Sequence, residues 1–125
     1  MCGIVAVLAQ RSSRTPADPE QVLQAIEAVT ADLSGPTEEL IRRGPERLGA
    51  AAAELRHIDG DLRGASGLRT MLADPSTLDR LDQAGRRGWE VLGGIEAALD
   101  AMAVDLAPAA QEAISSALVQ LKDAW

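Results

Sequence analysis

The chain has 125 residues, a formal net charge of −7 and 46% apolar residues, with Trp89 and Trp125 as its only aromatic side chains. The length is sufficient for one hydrophobic core, which Leu, Ile, Val, Met and Ala must build. The acidic balance argues against binding to nucleic acid or to an anionic membrane. One cysteine and one histidine exclude a disulfide framework and a Cys- or His-based metal cluster, and we expect no metal and no cofactor.

The first predicted element is a buried strand over Gly3–Leu8, because this short apolar run is rich in β-branched residues. A polar loop, Gln10–Ala17, follows it. A lone strand leaves backbone N–H and C=O groups unpaired, which costs ~1–3 kcal/mol for each buried group. We therefore expect the rest of its sheet to come from sequence beyond Trp125 or from another chain.

Helical patterns fill the remainder of the chain. Asp18 and Pro19 predict the start of a first helix, and Ser34-Gly35-Pro36 predicts its end. A second helix begins near Thr37, and Gly44-Pro45 predicts a kink or break in it. The apolar series then resumes as far as Leu62. A short helix from Ser66 would carry Leu68, Met71 and Leu72.

The clearest helical pattern begins at Asp74-Pro75 and ends at Ala107-Pro108. Its apolar and glycine residues are spaced alternately three and four residues apart over about four heptads, as in a coiled coil. They are Leu78, Leu81, Gly85, Gly88, Leu92, Ile95, Leu99, Met102 and Leu106. The residues of this seam pack either into the core of the chain itself or against a second copy of the chain in a dimer. A last helix runs from about Pro108 to Trp125, and we expect it to form a hairpin with the seam helix.

The residue with the clearest chemical potential is Cys2. If Met1 is removed, Cys2 carries a thiol and a free α-amine on one carbon. Their ordinary pKa values are ~8.5 and ~7.7–8.0, so the amine is suited to activate the thiol near neutral pH. The alternative is that Cys2 is a small buried residue at the start of the strand, as free cysteines often are.

The opening Met1-Cys2-Gly3-Ile4-Val5, followed by further small apolar residues up to Leu8, resembles the start of class II glutamine amidotransferases, which are N-terminal-nucleophile hydrolases. The resemblance implies that Cys2 attacks the side-chain amide of glutamine and that the ammonia released passes to an acceptor such as a sugar phosphate. It also implies a four-layer αββα sandwich and an Asn-Gly pair in the oxyanion hole. The chain contains no Asn. We therefore expect it to be the N-terminal part of a longer protein and to be inactive by itself.

Two other places invite a functional interpretation. Arg43-Gly44-Pro45-Glu46 resembles a segment near the substrate in these amidotransferases, but it lies inside a helical pattern and is better explained as a helix break. His57 could serve in acid–base chemistry, as histidine side chains often do. Its neighbours Arg56 and Asp59 favour a surface position instead.

The sequence thus predicts a mainly α fold: one N-terminal strand in residues 1–10, then a helical bundle or insertion over residues 18–125. Two functions remain open. The chain is either part of a glutamine amidotransferase, with glutamine as substrate and the remainder of the enzyme or a partner chain completing the site, or a non-catalytic helical module for interaction or oligomerisation. No run approaches the ~20 apolar residues of a membrane-spanning helix, and no basic residue precedes the apolar run as in a signal peptide, so we expect a cytoplasmic location.

Overall fold

The computed structural model describes residues 13–103 and 105–125, and this part of the chain is all α. Its six helices are α1 (Pro19–Leu33), α2 (Thr37–Arg42), α3 (Pro45–Leu62), α4 (Gly64–Met71), α5 (Pro75–Met102) and α6 (Pro108–Ala124). The mainly α prediction is confirmed for these residues. The predicted strand lies outside them and stays a prediction.

Helix α1 begins and ends where its sequence predicts. Asp18 is the N-cap residue, and its carboxylate accepts a hydrogen bond of 2.9 Å from the backbone N–H of Glu20, which satisfies one of the donors left free in a first turn. Pro19 occupies the first helical position, where its missing N–H costs nothing. Val22, Val29 and Leu33 are buried on one face.

The predicted break at Gly44-Pro45 is confirmed. Helix α2 ends at Arg42, and α3 starts at Pro45 after Gly44 adopts a φ of 82°, a conformation that residues with a side chain rarely take. Since Pro45 has no N–H and fixes its own φ, it can open a helix but cannot continue one. The break lets both helices contribute to the core through Leu40, Ile41 and Leu48.

Helix α5 carries the heptad pattern, and the middle of that pattern is buried within the chain. Gly88, Leu92, Ile95 and Leu99 are buried, whereas Leu78 near the start remains 44% exposed. Burial of each large aliphatic side chain stabilises the fold by about 1.5–3 kcal/mol. The interpretation of the seam as intramolecular core is therefore confirmed for this central stretch.

The predicted hairpin of α5 with α6 is wrong as the main pairing. Helix α6 packs chiefly against α3, and α5 packs mainly against α1. The apolar faces explain this arrangement: Ile114, Leu118 and Leu121 of α6 enter the same core as the buried Leu48, Ala52 and Leu55 of α3.

The short helix predicted from Ser66 is present as α4, which begins two residues earlier at Gly64, a residue with a φ of 74°. Its buried residues are Ser66, Gly67 and Thr70, and not its leucines. Helix α4 lies so close to the end of α3 that a Cβ on Gly67 would overlap the backbone carbonyl of Leu62. Only small residues fit this contact, which leaves Leu68 and Leu72 more than half exposed.

Candidate functional site

Cys2, the predicted nucleophile, lies outside the described residues. Its assignment as a catalytic residue therefore remains a prediction from the sequence. The described residues nearest to it in the chain begin at Ser13. Arg14 ties this end to α3, because its Nη2 donates a 2.9 Å hydrogen bond to the carbonyl oxygen of Gly60 and lies 3.6 Å from the carboxylate of Asp61.

The Arg43–Glu46 segment forms the junction between α2 and α3. Arg43 points to solvent and donates a 2.5 Å hydrogen bond to Glu39, four residues earlier on the helix. Gly44 provides the positive φ that the junction requires. This geometry agrees with the interpretation of the segment as a helix break.

His57 lies on the outer face of α3 with a side chain 75% exposed. Its Nε2 is 3.9 Å from the carboxylate of Asp61, one turn further along the helix. A solvated imidazole without an enclosing pocket has little to orient a substrate. The prediction of a surface position is confirmed.

An apolar groove of about 380 Å³ opens between α1, α3, α4 and α5, and we name it the Trp125 groove after the residue at its end. Nine of the residues that line it are apolar: Ile26, Leu55, Ile58, Leu62, Met71, Leu78, Leu81, Ala124 and Trp125. Gly85, Asp59 and Asp82 complete the lining. A volume of this order lies within the range of sites that hold small ligands or a few side chains.

Trp125 closes the groove through a specific contact with α5. Its indole Nε1 donates a 3.1 Å hydrogen bond to the backbone carbonyl of Gly85. The six-membered ring rests where a Cβ at Gly88 would lie. The two glycines of the predicted seam therefore accept an aromatic side chain from the end of the same chain.

The two carboxylates on the groove each have a basic partner four residues further along the chain. Arg63 donates to Asp59 at 2.5 Å, and Arg86 donates to Asp82 at 2.8 Å. The hydrogen bond with Asp59 raises the pKa of Arg63 above its usual value. Since both acids are already paired, the groove offers an apolar surface and little free charge.

Two ion pairs link neighbouring helices at the surface of the bundle. Arg80 on α5 pairs with Glu20 on α1, with Nη2 2.9 Å from Oε2, and this hydrogen bond lowers the pKa of Glu20 below its usual value. Arg47 on α3 binds the carboxylate of Asp32 and donates a 2.8 Å hydrogen bond to its backbone carbonyl. The hydrogen bond to the Asp32 carboxylate raises the pKa of Arg47.

Within residues 13–103 and 105–125, no three side chains among His, Cys, Asp and Glu come together in a way that could hold a metal ion. No helix in the same part of the chain has the length and apolar character needed to cross a membrane.

Sequence reasoning did not find the Trp125 groove, because its lining comes from helices far apart in the chain. One signal was available: Gly85 and Gly88 occupy seam positions that normally carry large apolar side chains. Glycine at such positions indicates that something approaches the helix closely, but it does not identify the residue that does so.

Comparisons of the chain with protein-family models, with curated proteins and with solved structures give no match.

Proposed function

We propose that the chain provides the nucleophile of a glutamine amidotransferase, and that Cys2, freed by removal of Met1, is this nucleophile. The observation that carries the proposal is the opening Met1-Cys2-Gly3-Ile4-Val5, in which the cysteine stands at the one position where its own α-amine can serve as base. The described helices add support in one respect. They bury a core of their own, as a helical insertion beside a catalytic segment must do.

The proposed bond-making and bond-breaking steps involve the thiol and α-amine of Cys2, the glutamine side chain and water. The α-amine takes the thiol proton, and the thiolate attacks the side-chain amide carbon of glutamine. The tetrahedral intermediate collapses to a γ-glutamyl thioester while the protonated amine gives its proton to the departing ammonia. Water then attacks the thioester, which releases glutamate and restores the thiol. The ammonia is available to an acceptor such as a sugar phosphate.

We expect the remaining parts of such a site to come from outside these 125 residues. A tetrahedral intermediate requires donors to its oxyanion, and loss of one donor costs roughly 10²–10³ in rate. The resembled family uses an Asn-Gly pair for this purpose, and the chain contains no Asn. We therefore expect the chain alone to hydrolyse glutamine no faster than a free thiol with an adjacent amine.

The proposal is tested with a thiol-reactive glutamine mimic on the protein in its natural context, that is, with any further sequence or partner chain that accompanies it. Labelling of Cys2 should be much faster than labelling of a free cysteine and should slow when glutamine is added. A Cys2→Ser variant should take no label. Labelling at the rate of a free thiol, with no protection by glutamine, would contradict the proposal.

A second candidate function is a non-catalytic helical interaction module. It is favoured by the Trp125 groove together with the exposed Leu68 on α4 and Leu72 directly after α4, which form apolar surface at one corner of the bundle. The mimic separates the two candidates, because an interaction module gives Cys2 no enhanced reactivity and no protection by glutamine.

A further inference from the structure

We propose that the Trp125 groove and the two leucines beside it form the interface of a homodimer. The groove is an apolar hollow in the surface of the bundle, and Leu68 and Leu72 stand beside it with more than half of their surface exposed. A second copy of the chain offers the same hollow and the same two leucines. A two-fold symmetric dimer needs such a self-complementary surface, because each copy contributes the same patch.

The two leucines adjoin the groove along α4. Met71 lines the groove, and Leu68 lies three residues before it, so the two side chains are neighbours on the helix surface. Leu72 follows Leu68 by one turn, since its backbone N–H donates a 3.0 Å hydrogen bond to the carbonyl of Leu68. Neither leucine lines the groove of its own copy. Both are therefore available to enter the groove of a second copy, where the half-exposed Leu78 would meet them.

The two rims of the groove carry opposite charges. Arg69 is exposed on the α4 rim, three residues before Leu72. Asp79 is exposed on the α5 rim, three residues before Asp82 of the groove lining. Neither Arg69 nor Asp79 has an ion-pair partner in the part of the chain that the structure describes. The groove thus has a positive and a negative side, and both charges are available to a partner.

This charge pattern selects a second copy as the occupant. A two-fold axis through the middle of the groove places Arg69 of each copy on the side of Asp79 of the other. Two ion pairs can then form while the leucines of each copy leave water in the opposite groove. A purely acidic or purely basic partner would be repelled at one of the rims. The net charge of −7 opposes association in general, so the arrangement depends on these local pairs.

The mass of the full-length chain in solution, measured by sedimentation equilibrium, tests the dimer. It should rise from 13.1 kDa toward twice that value as the concentration approaches about 100 μM. Leu72→Glu should keep the monomer mass, because it would place a charge in an apolar groove. Val119→Glu is the matched control, since Val119 is also more than half exposed but lies on α6 outside the groove. It should dimerise like the parent, and both variants should keep the parent's circular dichroism.

Exchange of the two charges tests the arrangement of the copies. Arg69→Glu would set acids against each other at both rims of a homodimer, and Asp79→Arg would set arginines against each other. Each variant alone should therefore dimerise at least about tenfold more weakly than the parent. An equimolar mixture of the two should recover the dimer. In the mixed dimer the new glutamate meets the new arginine at one rim, and the native Arg69 and Asp79 pair at the other.

Three results would overturn the proposal. They are a parent that keeps the monomer mass at about 100 μM, a Leu72→Glu variant that dimerises like the parent, and a mixture of the charge variants that associates no better than either alone. The inference rests on the second candidate function, to which it gives a partner, and not on the chemistry of Cys2. Rapid labelling of Cys2 by the glutamine mimic would contradict that candidate without changing the mass in solution, so the two failures are distinguishable.

Discussion

The indole of Trp125 lies against the backbone of Gly88, in the space that a Cβ at residue 88 would occupy. This contact joins the end of the chain to the middle of α5, and the hydrogen bond from the indole to Gly85 fixes the orientation of the ring. The glycines therefore serve a tertiary contact that outweighs their weak helix propensity. It is the contact on which the shape of the groove depends.

Gly88→Ala should destabilise the fold by about 1–3 kcal/mol, because the added methyl overpacks the contact with Trp125 and forces the indole off α5. Chemical denaturation gives the free energy of unfolding, and the emission of Trp125 should move to longer wavelength. Gly93→Ala is the control on the same helix. Nothing lies near its added Cβ, so it should be neutral or stabilise by about 0.5–1 kcal/mol. Equal effects of the two variants would contradict the contact.

Gly67→Ala should destabilise the α3–α4 corner by a similar amount, about 1–3 kcal/mol or more, since its Cβ meets backbone atoms of Leu62 that cannot rotate away. Gly60→Ala, in α3, is the matched control because its Cβ enters open space. Thermal unfolding of both variants measures the difference. A Gly67→Ala protein as stable as Gly60→Ala would mean that α4 does not pack so closely on α3.

Thr70→Val should cost about 0.5–1.5 kcal/mol, because it keeps the shape of the buried side chain but removes the hydrogen bond from Oγ1 to the carbonyl of Ala17. This bond joins α4 to the segment before α1. Thr30→Val is the control, since its hydroxyl donates only to Ile26 within the same helix. The account would be contradicted by a larger loss of stability from Thr30→Val than from Thr70→Val.

The ion pair of Glu20 with Arg80 should make a small, acid-sensitive contribution to stability. The folded-state pKa of Glu20 lies below its usual value of 4.5 because Arg80 donates a hydrogen bond to it. The contribution is therefore present above pH 4.5 and is lost as pH falls through the folded-state pKa. Both side chains are about half exposed, so the effect should be small and weaker in high salt.

The variant Glu20→Gln tests how much the ion pair of Glu20 with Arg80 contributes to stability. The difference in free energy of unfolding between parent and variant should be largest near neutral pH and should shrink in acid. Glu112→Gln, a change of an exposed acid on α6, controls for the loss of one negative charge. A difference between parent and Glu20→Gln that grows in acid would contradict the assigned direction of the pKa.

The features that the sequence predicted well depend on local chemistry. Asp18 caps α1 and Pro45 opens α3 because capping and the geometry of proline act within one turn. The buried part of the α5 seam follows from periodicity alone. These two boundaries were accordingly predictable before any tertiary contact was known, whereas α5 ends at Met102 and not at the predicted Ala107-Pro108.

The partners of the helices were not predictable in the same way. Helix α6 packs against α3 and not chiefly against its sequence neighbour α5, which depends on how the apolar faces of α3 and α6 meet in one core. Helix α4 buries Ser66, Gly67 and Thr70 because the end of α3 leaves no room for leucine. The candidate nucleophile, by contrast, could be found only from the sequence, since Cys2 lies outside the described residues.

The most direct test of the central claim is the intact mass of the mature protein, isolated with whatever further sequence it carries. The account predicts a mass lower by one methionine residue, with Cys2 as the N-terminal residue and its α-amine free. Retention of Met1, or acetylation of the Cys2 amine, would leave the thiol without its proposed base and would contradict the assignment of Cys2 as the nucleophile.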